Sequence, residues 1–423
     1  MTVLLHIESL GFGGEAIARL DGRVVFVPGG VPGEVVEGEL VEVRERSARA
    51  RILRVAEPSS LRVEPECPHF PECGGCQWLQ VAPAAQEKAK EQLFYDALER
   101  IGGLPRDSLQ ANPILTAGRH ERYRTRTRLH LVGGQLGYTR RGSHTLVDVT
   151  QCRLLDQEIE SALERLREAA SAVGHVPRST DVAFACDERR VAAAFYVAAS
   201  SRAAIERVEK LLRLARLDGG VLVTEREPAR TFGKPLLSIP APCAPGLRLH
   251  GRPDLFAQAN PYANELLVAE AMRLLGAPAN VIELYGGAGN FTFAMTSRGA
   301  RVTSVEISSS AVELARRSAS HAGEGGARFI VGDSLRTGEA LAKEGLRYDA
   351  LVLDPPRTGA KGIAPLARQL GVRRVLYVSC DPATLGRDAR ELVSEGFRPV
   401  AATPVDMFPQ TYHVEGLLLL EAA

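Results

Sequence analysis

The sequence contains little lysine, few cysteines and almost no net charge. Only six of its 52 basic residues are lysines, so arginine carries nearly all of the positive charge. The 51 acidic residues balance this charge and leave a formal net charge of +1 over 423 residues. A protein without a global positive field does not attract polyanions through its overall charge. Any surface that binds nucleic acid must therefore be local.

Seven cysteines in a chain of this length do not form a disulfide framework. The first residues, MTVLLHIESL, are too short and too acidic for a secretory signal, and no apolar run approaches the roughly 20 residues of a membrane helix. We expect a cytoplasmic protein with reduced thiols and no membrane association, in which clustered cysteines hold a metal or do chemistry.

The pattern of residues changes twice along the chain and predicts a multidomain α/β protein. Residues 1–60 alternate short β-like runs with glycine-rich turns, which predicts a small OB-like barrel. Residues 61–240 mix helices and strands, which predicts a central α+β domain, with a helix at 84–101 that could pack on the next domain. Residues 241–423 alternate apolar strands with helices, which predicts a Rossmann-like sheet with ligands at the carboxyl ends of its strands.

An arginine-rich segment lies between residues 119 and 150. Four of its arginines occupy alternate positions, namely Arg122, Arg124, Arg126 and Arg128. In a strand this alternation places all four side chains on one face. A row of like charges is costly unless an anion neutralises it, so we predict contact with an RNA or DNA backbone.

The first strand of the Rossmann-like segment ends in a glycine turn, ELYGGAGN, at residues 283–290. Glycines let the backbone approach a ligand, and Glu306 at the end of the next strand is placed to accept ribose hydroxyls. A dinucleotide site favours glycine or alanine at position 292, where this chain has threonine. The turn therefore fits S-adenosylmethionine better, with Asp333 at the third strand end placed to meet the adenine amine.

Three further strand ends carry reactive side chains. The fourth strand ends in Asp354-Pro355-Pro356, whose rigid turn can present the carboxylate to the N3 hydrogen of uracil. The fifth ends in Cys380, just before a helix amino terminus, where we expect the thiolate to be favoured. The last begins near Glu415, the candidate base.

Three cysteines lie close together, and a fourth is remote. Cys67, Cys73 and Cys76 form a C-x5-C-x2-C pattern, and Cys152 lies far downstream. Four thiolates complete a tetrahedral site, for which zinc and a [4Fe-4S] cluster are both candidates. The x5 spacing differs from the paired CxxC motifs of zinc ribbons and favours the iron-sulfur cluster.

A sulfonium-binding sheet, a thiol and a base together indicate methylation of a pyrimidine at C5. This carbon is a poor nucleophile until a thiolate adds at C6. The methyl group is then transferred, a base removes the C5 proton, and the thiolate leaves.

With these residues in place, the chain resembles the RNA uracil-5 methyltransferases over nearly its whole length. The resemblance rests on five motifs: DLFAQAN (254–260), ELYGGAGNFT (283–292), LDPPR (353–357), YVSCDPATLGRD (377–388) and HVEGLLLLE (413–421). It implies that residues 1–60 are an RNA-binding TRAM domain, and that residues 241–423 form a class I methyltransferase domain that uses S-adenosylmethionine. It also implies that the four cysteines hold a [4Fe-4S] cluster.

The resemblance also assigns roles to single residues. It implies that Cys380 is the nucleophile, that Glu415 is the proton acceptor and that Phe256 lies beside the target base. The positions that match the family's contacts to S-adenosylmethionine are Gln258, Tyr285, Asn290, Glu306, Asp333 and Asp354. A chain with both a barrel and a cysteine cluster resembles the branch that acts on 23S rRNA.

Other functions stay open at this point. A tRNA uracil-5 methyltransferase shares the same chemistry. An RNA cytosine-5 methyltransferase shares the thiolate step, but Asp354 as an ionised acceptor does not suit cytosine N3. A non-catalytic RNA-binding assembly factor would use neither Cys380 nor Glu415. No obligate protein partner is inferred.

Overall fold

The computed structural model describes residues 2–173 and 180–423 of the chain. The amino-terminal strands close into a barrel in the order β1-β2-β3-β5-β4. Alternate apolar residues such as Leu5, Ile7 and Val25 point into it and are buried. The predicted barrel is thus confirmed. Its strands are β1 (Thr2–Leu10), β2 (Ala16–Leu20), β3 (Arg23–Val27), β4 (Val35–Val43) and β5 (Ser47–Glu57).

The helix predicted at 84–101 is present, and it packs on the carboxyl-terminal sheet. It is α1 (Pro83–Ala97), followed by a π-helical turn (Leu98–Gly102) that ends at Gly103 in the left-handed conformation, with φ of 69°. Phe94 and Leu98 belong to the same apolar core as the strands that carry the candidate site. The chain then forms a short 3-10 turn (Arg106–Ser108) and the edge strand β6 (Gln110–Ala111) of that sheet.

The central part of the chain forms a seven-stranded sheet in the order β13-β12-β11-β10-β7-β8-β9. Two helices cover one face of it and share its apolar core. The elements are β7 (Arg126–Val132), β8 (Gln135–Thr139), β9 (Leu146–Asp148), α2 (Gln157–Val173), β10 (Thr180–Cys186), β11 (Val191–Tyr196), α3 (Arg202–Leu214), β12 (Gly219–Val223) and β13 (Arg230–Gly233). A two-stranded ribbon follows, β14 (Leu237–Pro240) with β15 (Arg248–Gly251).

The carboxyl-terminal part is the predicted doubly wound sheet, in the order β18-β17-β16-β19-β20-β22-β21-β6. Its first five strands in this order are parallel, and β22 runs antiparallel to β20. The elements are α4 (Pro261–Leu275), β16 (Asn280–Leu284), α5 (Thr292–Thr296), β17 (Arg301–Glu306), α6 (Ser309–Ala322), β18 (Ala327–Val331), α7 (Ser334–Lys343), β19 (Ala350–Leu353), α8 (Ile363–Gln369), β20 (Arg374–Ser379), α9 (Pro382–Ser394), β21 (Phe397–Val405) and β22 (Glu415–Ala422).

The reversed strand β22 decides where the site forms. Because it is antiparallel to β20, its first residue lies at the same edge of the sheet as the last residue of β20. The apolar run GLLLL of β22 is buried between helices on both faces, as expected for a central strand. None of the helices in the described ranges combines the length and the apolarity that a membrane crossing requires.

Candidate active site

Strand register brings Cys380 and Glu415 to one place. Ser379 pairs with Gly416 across β20 and β22, so the next residues outward, Cys380 and Glu415, are neighbours at the carboxyl edge. In the parallel strand on the other side of β20, Leu353 pairs with Tyr377, which places Asp354 at the same edge. Three residues from different strand ends therefore lie together at one edge of the sheet.

The thiol of Cys380 is not activated in the free protein, contrary to the expected preference for thiolate. Burial and the charges of Glu415 and Asp354 together raise the pKa of Cys380 to about 11, against the opposing charge of Arg357. The helix amino terminus is already satisfied, because the Asp381 carboxylate accepts from the amides of Ala383 (2.9 Å) and Thr384. This carboxylate adds a negative charge where the helix dipole alone would favour the thiolate.

The carboxyl group of Glu415 is buried, and one of its oxygens is available to bind a proton. Its side chain is only 4% exposed, and its Oε2 atom has no hydrogen-bond partner among the described residues. Burial raises the pKa of Glu415 to about 7, against the opposing charge of Arg357. Burial and the nearby Glu415 likewise raise the pKa of Asp354 well above its usual range. The pair therefore holds a proton near neutral pH, and a group in this state suits acid-base chemistry.

The glycine turn is tied to the next strand end. Tyr285 adopts a left-handed conformation with φ of 64°, and its amide donates to the Ser334 hydroxyl at 3.2 Å. The carboxylate of Glu306 accepts from the amide of Gly287 at 3.1 Å and from the amide of Ser308 at 2.7 Å. The predicted residues Tyr285 and Glu306 thus border one cradle at the ends of β16 and β17.

The other predicted cofactor residues lie on three different segments. Asn290 exchanges side-chain hydrogen bonds of 2.8 and 3.0 Å with Asn264 on α4. Asp333 is exposed and caps α7, where it accepts from the amide of Arg336 at 3.0 Å. Gln258 is half-buried in the segment before α4. The ring of Phe256, in the same segment, is 79% exposed, so it is available to a partner.

Sequence reasoning missed two side chains that support the cradle, Glu283 and Asn264. Glu283 is 2% exposed, hydrogen-bonds the Thr292 hydroxyl, and has an Oε1 atom without a hydrogen-bond partner in the described chain. Burial raises its pKa to about 7. Its place as the first residue of the glycine motif was a usable signal, whereas Asn264 belongs to a helix that carries no motif.

The segment between β21 and β22, residues 406–414, is anchored from several sides. Lys90 of α1 is completely buried and forms an ion pair of 2.6 Å with Asp406, and it also donates to the Phe408 carbonyl at 2.9 Å. The Gln86 side chain accepts from the Gln410 amide at 2.9 Å. These contacts fix the chain that leads into Glu415.

The four predicted cysteines face one small cavity of about 30 Å³. Cys67, Cys73, Cys76 and Cys152 line it together with Arg124 and Tyr138. Burial raises the pKa of Cys73 to about 11 and that of Cys76 to about 12, and the neighbouring thiols add to both shifts. Among the described residues, no group of three or more histidine, cysteine or acidic side chains is arranged to hold a metal ion. Four cysteine thiols lining one cavity are, by their chemistry, the donor set that an iron-sulfur cluster takes.

The predicted arginine face is wrong for its first two members. Strand β7 begins only at Arg126, and Arg122 lies before it in a left-handed conformation with φ of 53°. Its guanidinium pairs with Glu160 on α2. Arg124 points into the cysteine cavity, with its guanidinium 5.6 Å from the centre of the Phe408 ring. The chain bends at residues 121, 122 and 125, so the alternating pattern does not describe a continuous strand.

Arg126 and Arg128 do share a face of β7, but both are already occupied by protein groups. Arg126 donates to the carbonyls of Arg252 (2.7 Å) and Leu255 (2.5 Å), and burial lowers its pKa to about 10. Arg128 pairs with Asp181 at 2.7 Å and lies over the Tyr196 ring. The internal partners explain why this row of like charges is stable without a phosphate.

A larger cleft of about 590 Å³ lies where the barrel, the cysteine segment, the β8-β9 hairpin and the segment before β22 meet. It is lined by arginine, histidine, tyrosine, glycine and small polar side chains and by no carboxylate. Its last residue, His413, lies two positions before Glu415. The charged and aromatic lining residues are His130, Tyr138, Arg140, Arg141, His144, Tyr412 and His413.

Comparisons with known proteins agree with this architecture. Residues 1–53 match the family model of the TRAM domain, and residues 261–380 match the model described as conserved hypothetical protein 95. The chain is similar to a solved structure titled as the Pyrococcus abyssi tRNA (uracil-54, C5)-methyltransferase in complex with S-adenosyl-L-homocysteine. The TM-score is 0.75 at 21% identity, covering 99% of this chain and 100% of that one, which shows a shared fold.

Two curated relatives align over almost the full chain. Both are named 23S rRNA (uracil(1939)-C(5))-methyltransferase RlmD. The relative from Dechloromonas aromatica is 34% identical over 98% of this chain and 98% of its own length. The relative from Acidithiobacillus ferrooxidans is 36% identical over 99% of this chain and 97% of its own length. The chain therefore belongs to the RNA uracil-5 methyltransferase family, in the group that contains the RlmD 23S rRNA (uracil-C5)-methyltransferases.

Proposed function

We propose that this protein methylates C5 of a specific uridine in 23S rRNA, with S-adenosylmethionine as the methyl donor. The observation that carries the proposal is the meeting of Cys380, Glu415 and Asp354 at the carboxyl edge of a methyltransferase sheet. This edge is where open α/β sheets bind their ligands. The names of the full-length relatives support 23S rRNA as the RNA.

In the proposed reaction Cys380 first loses its proton to solvent, and the thiolate adds to uracil C6. The electrons of the C5–C6 double bond move towards the O4 carbonyl, and C5 then attacks the methyl group of the sulfonium and releases S-adenosylhomocysteine. Glu415 takes the proton from C5, the double bond reforms, and the Cys380 sulfur leaves. A carboxyl with a pKa of about 7 is half ionised at neutral pH, so it can accept this proton and release it later.

Asp354 is the proposed residue that distinguishes uracil from cytosine, in its ionised form. A uracil ring offers a hydrogen at N3, which a carboxylate accepts, whereas cytosine N3 carries a lone pair. Asp354 lies beside Glu415 at the same edge, so a base held by Asp354 presents its reactive carbons to this pair. A cytosine substrate would require a protonated Asp354, which is the form that burial and Glu415 favour in the free protein, so a preference for uracil requires Asp354 to ionise when the base binds. Phe256 is exposed beside the site and is the proposed contact to the face of the flipped base.

We assign the methyl donor to the cradle at the ends of β16 and β17. Glu306 meets the ribose hydroxyls, and Asp333 meets the adenine amine. The sulfonium end of S-adenosylmethionine contacts the remaining polar side chains and the Tyr285 ring. The full set of residues proposed to bind S-adenosylmethionine is Gln258, Tyr285, Asn290, Glu306, Asp333 and Asp354. Isothermal titration with S-adenosylhomocysteine tests this set: Glu306→Ala must weaken binding more than Glu313→Ala, a change on α6, outside the set.

The RNA path replaces the predicted arginine face. We propose that RNA enters through the cleft between the barrel and the β8-β9 hairpin, because no carboxylate lines it among the described residues and His413 is part of its lining. Arg140 pairs with Glu72 and Arg141 lies 4.0 Å from Glu15, and these exposed contacts are weak enough for RNA phosphates to displace. Tyr412 supplies an aromatic surface. In this proposal residues 1–60 bind RNA, residues 61–240 present the cleft, and residues 241–423 carry out the reaction.

We also propose that Cys67, Cys73, Cys76 and Cys152 hold a [4Fe-4S] cluster with a structural role. The cluster would carry no step of the methyl transfer and would fix the cysteine segment beside the cleft. Aerobic and anaerobic preparations give the test through iron and sulfide content and through the melting temperature. If Cys76→Ser retains both the iron content and the melting temperature of the parent protein, the assignment is wrong.

Trapping with 5-fluorouridine RNA tests the reaction itself. Fluorine at C5 cannot leave as a proton, so a covalent adduct between Cys380 and C6 of the methylated ring must accumulate. Cys380→Ala must abolish both the adduct and the methylated product of normal RNA, whereas Cys243→Ala is the matched control because this cysteine lies in the turn between β14 and β15. Methylation that survives in Cys380→Ala refutes the mechanism. A non-catalytic assembly factor predicts no adduct with either protein.

A tRNA substrate is the second candidate, because the similar solved structure is titled as a tRNA methyltransferase. Mass-spectrometric mapping of 5-methyluridine in rRNA and tRNA, from cells with and without the gene, separates the two. Loss of the modification from tRNA alone would overturn the 23S rRNA assignment.

A further inference from the structure

A buried hydrogen-bonded network lies behind the nucleophile and has no role in the reaction described above. Asp388 on α9 is fully buried, and its Oδ2 atom accepts from the Tyr377 hydroxyl at 2.6 Å and from the Ala360 amide at 2.7 Å. The Tyr377 oxygen also lies 3.0 Å from the Ala360 amide and accepts from it. Tyr377 lies three residues before Cys380 on β20, and Asp388 lies on the helix that follows it.

Arg387 adds a second connection to the same loop. Its Nε donates to Asp388 Oδ1 at 2.8 Å, and its Nη2 donates to the Thr358 carbonyl at 2.8 Å. Between the two held positions, Gly359 has φ of +76°, and a Cβ there would press on the Asp388 carboxylate and lie 2.5 Å from Arg387 Nη2. We call Tyr377, Arg387 and Asp388 the clamp, because they hold residues 358–360 against the strand and helix that flank Cys380.

The other end of the clamped loop carries charges that act on the site. Asp354 begins the loop, and Arg357 follows two prolines that restrict the backbone. Of the charges that act on Cys380 in the described chain, Arg357 favours the thiolate. The opposing groups lie on each element packed around the thiol: Glu415 on β22, Asp354 on the loop and Asp381 at the start of α9. A shift of Arg357 away from the pocket would leave the thiol among carboxylates alone.

We propose that Asp388 is a positioning residue for the nucleophile: through the clamp it holds the loop so that the Arg357 guanidinium stays beside Cys380 and Glu415. The inference rests on the proposed function, because it concerns the activation of the same thiol. It assigns Asp388 no contact with the substrate. Its predicted effect is on the pH at which Cys380 reacts and not on the binding of RNA.

The test is the rate of adduct formation with 5-fluorouridine RNA between pH 6.5 and 10, measured for the parent protein and for Asp388→Asn. The asparagine variant keeps the size of the side chain but loses the charge that anchors Arg387. We expect the rate to fall about tenfold throughout this range, because the pKa of Cys380 rises by about one unit from about 11 and the thiol is mostly protonated at every pH tested. The affinity for RNA should stay the same.

Two further variants make the result decisive. Tyr377→Phe removes one donor to Asp388 without altering charge, and should give a smaller fall in the rate. Arg390→Ala, at an exposed position of the same helix, is the control and should match the parent protein. Asp388→Asn added to Arg357→Met should slow the reaction no further than Arg357→Met alone, because both changes act through one guanidinium.

The outcomes separate this inference from the proposed function. If the parent protein and Arg390→Ala form no adduct, the proposed function fails and the inference fails with it. If they form the adduct but Asp388→Asn reacts at the rate of the parent protein, or slows the Arg357→Met variant as much as it slows the parent protein, the positioning role is wrong. Thermal melting of each variant at pH 7.5 identifies a loss of fold, and in that case Tyr377→Phe alone decides.

Discussion

Replacement of Glu415 by glutamine should abolish methylation and at the same time stabilise the protein at alkaline pH. Burial raises the pKa of Glu415 from the 4.5 of an exposed glutamate to about 7. The ionised carboxylate is therefore less favourable in the folded state than in the unfolded chain. The cost is absent near pH 4, where both states bind the proton, and it grows as the pH rises from 4.5 through 7. At pH 8 it amounts to about 3 kcal/mol.

The glutamine variant removes this cost but buries an amide in a place where Oε2 has no hydrogen-bond partner in the described chain. An unsatisfied amide costs about 1–3 kcal/mol at any pH. The quantity to measure is therefore how the effect of Glu415→Gln on the free energy of unfolding differs between two pH values. The cost of the buried amide is the same at both and cancels. Relative to the parent protein, the unfolding free energy of Glu415→Gln should improve by about 2 kcal/mol between pH 5 and pH 8.

Urea unfolding at pH 5 and pH 8, followed by fluorescence and circular dichroism, measures this difference. Glu421→Gln is the matched control, because Glu421 lies on the same strand but pairs at the surface with Arg374 and Arg398. Surface pairs contribute about 0–1 kcal/mol, so the control should differ little from the parent protein at either pH. An identical effect of Glu415→Gln at pH 5 and pH 8 would show that Glu415 does not ionise near neutrality, and would remove the basis for its role as the proton acceptor.

Three other changes test how the site is held. Lys90→Met should destabilise the fold by about 3–5 kcal/mol in urea unfolding because it leaves Asp406 charged and buried, and the added change Asp406→Leu should recover most of the loss. Gly416→Ala should cost about 1–3 kcal/mol, since its Cβ would overlap the Phe94 ring, and a variant as stable as the parent protein would contradict the packing. Because Phe256 is exposed, Phe256→Ala should change the free energy of unfolding by less than about 0.5 kcal/mol, but it should weaken the binding of target RNA in a filter-binding assay.

The strand ends could be predicted from sequence because each is marked by a local pattern. An apolar run followed by glycine, proline or a single polar residue identifies the carboxyl end of a buried strand, and parallel strands place these ends at one edge. Asp354 and Cys380 follow this rule directly. Glu415 does not, because it begins a strand, and only the antiparallel pairing of β22 with β20 brings it to the same edge. Glu415 could be predicted as the base from the motif HVEGLLLLE, but not from its place at the start of a strand.

The arginine segment shows why charge patterns predict less than apolar patterns. An apolar residue has one favourable destination, the interior, so its spacing reports the local geometry directly. An arginine can pair with a carboxylate, cap a carbonyl or lie over a ring, and its partner is often far away in sequence. Arg126 donates to carbonyls more than 120 residues distant, and Arg128 pairs with Asp181 across two strands. Alternation therefore predicted one face, while the distant partners decided whether that face is free. The same argument applies to the cleft at His413: no carboxylate lines it among the described residues, but Arg140 pairs with Glu72 and Arg141 lies 4.0 Å from Glu15, so RNA that binds there must compete with these exposed pairs. Substituting Arg141 there should weaken RNA binding and reduce its dependence on salt, whereas Arg128→Ala should change neither.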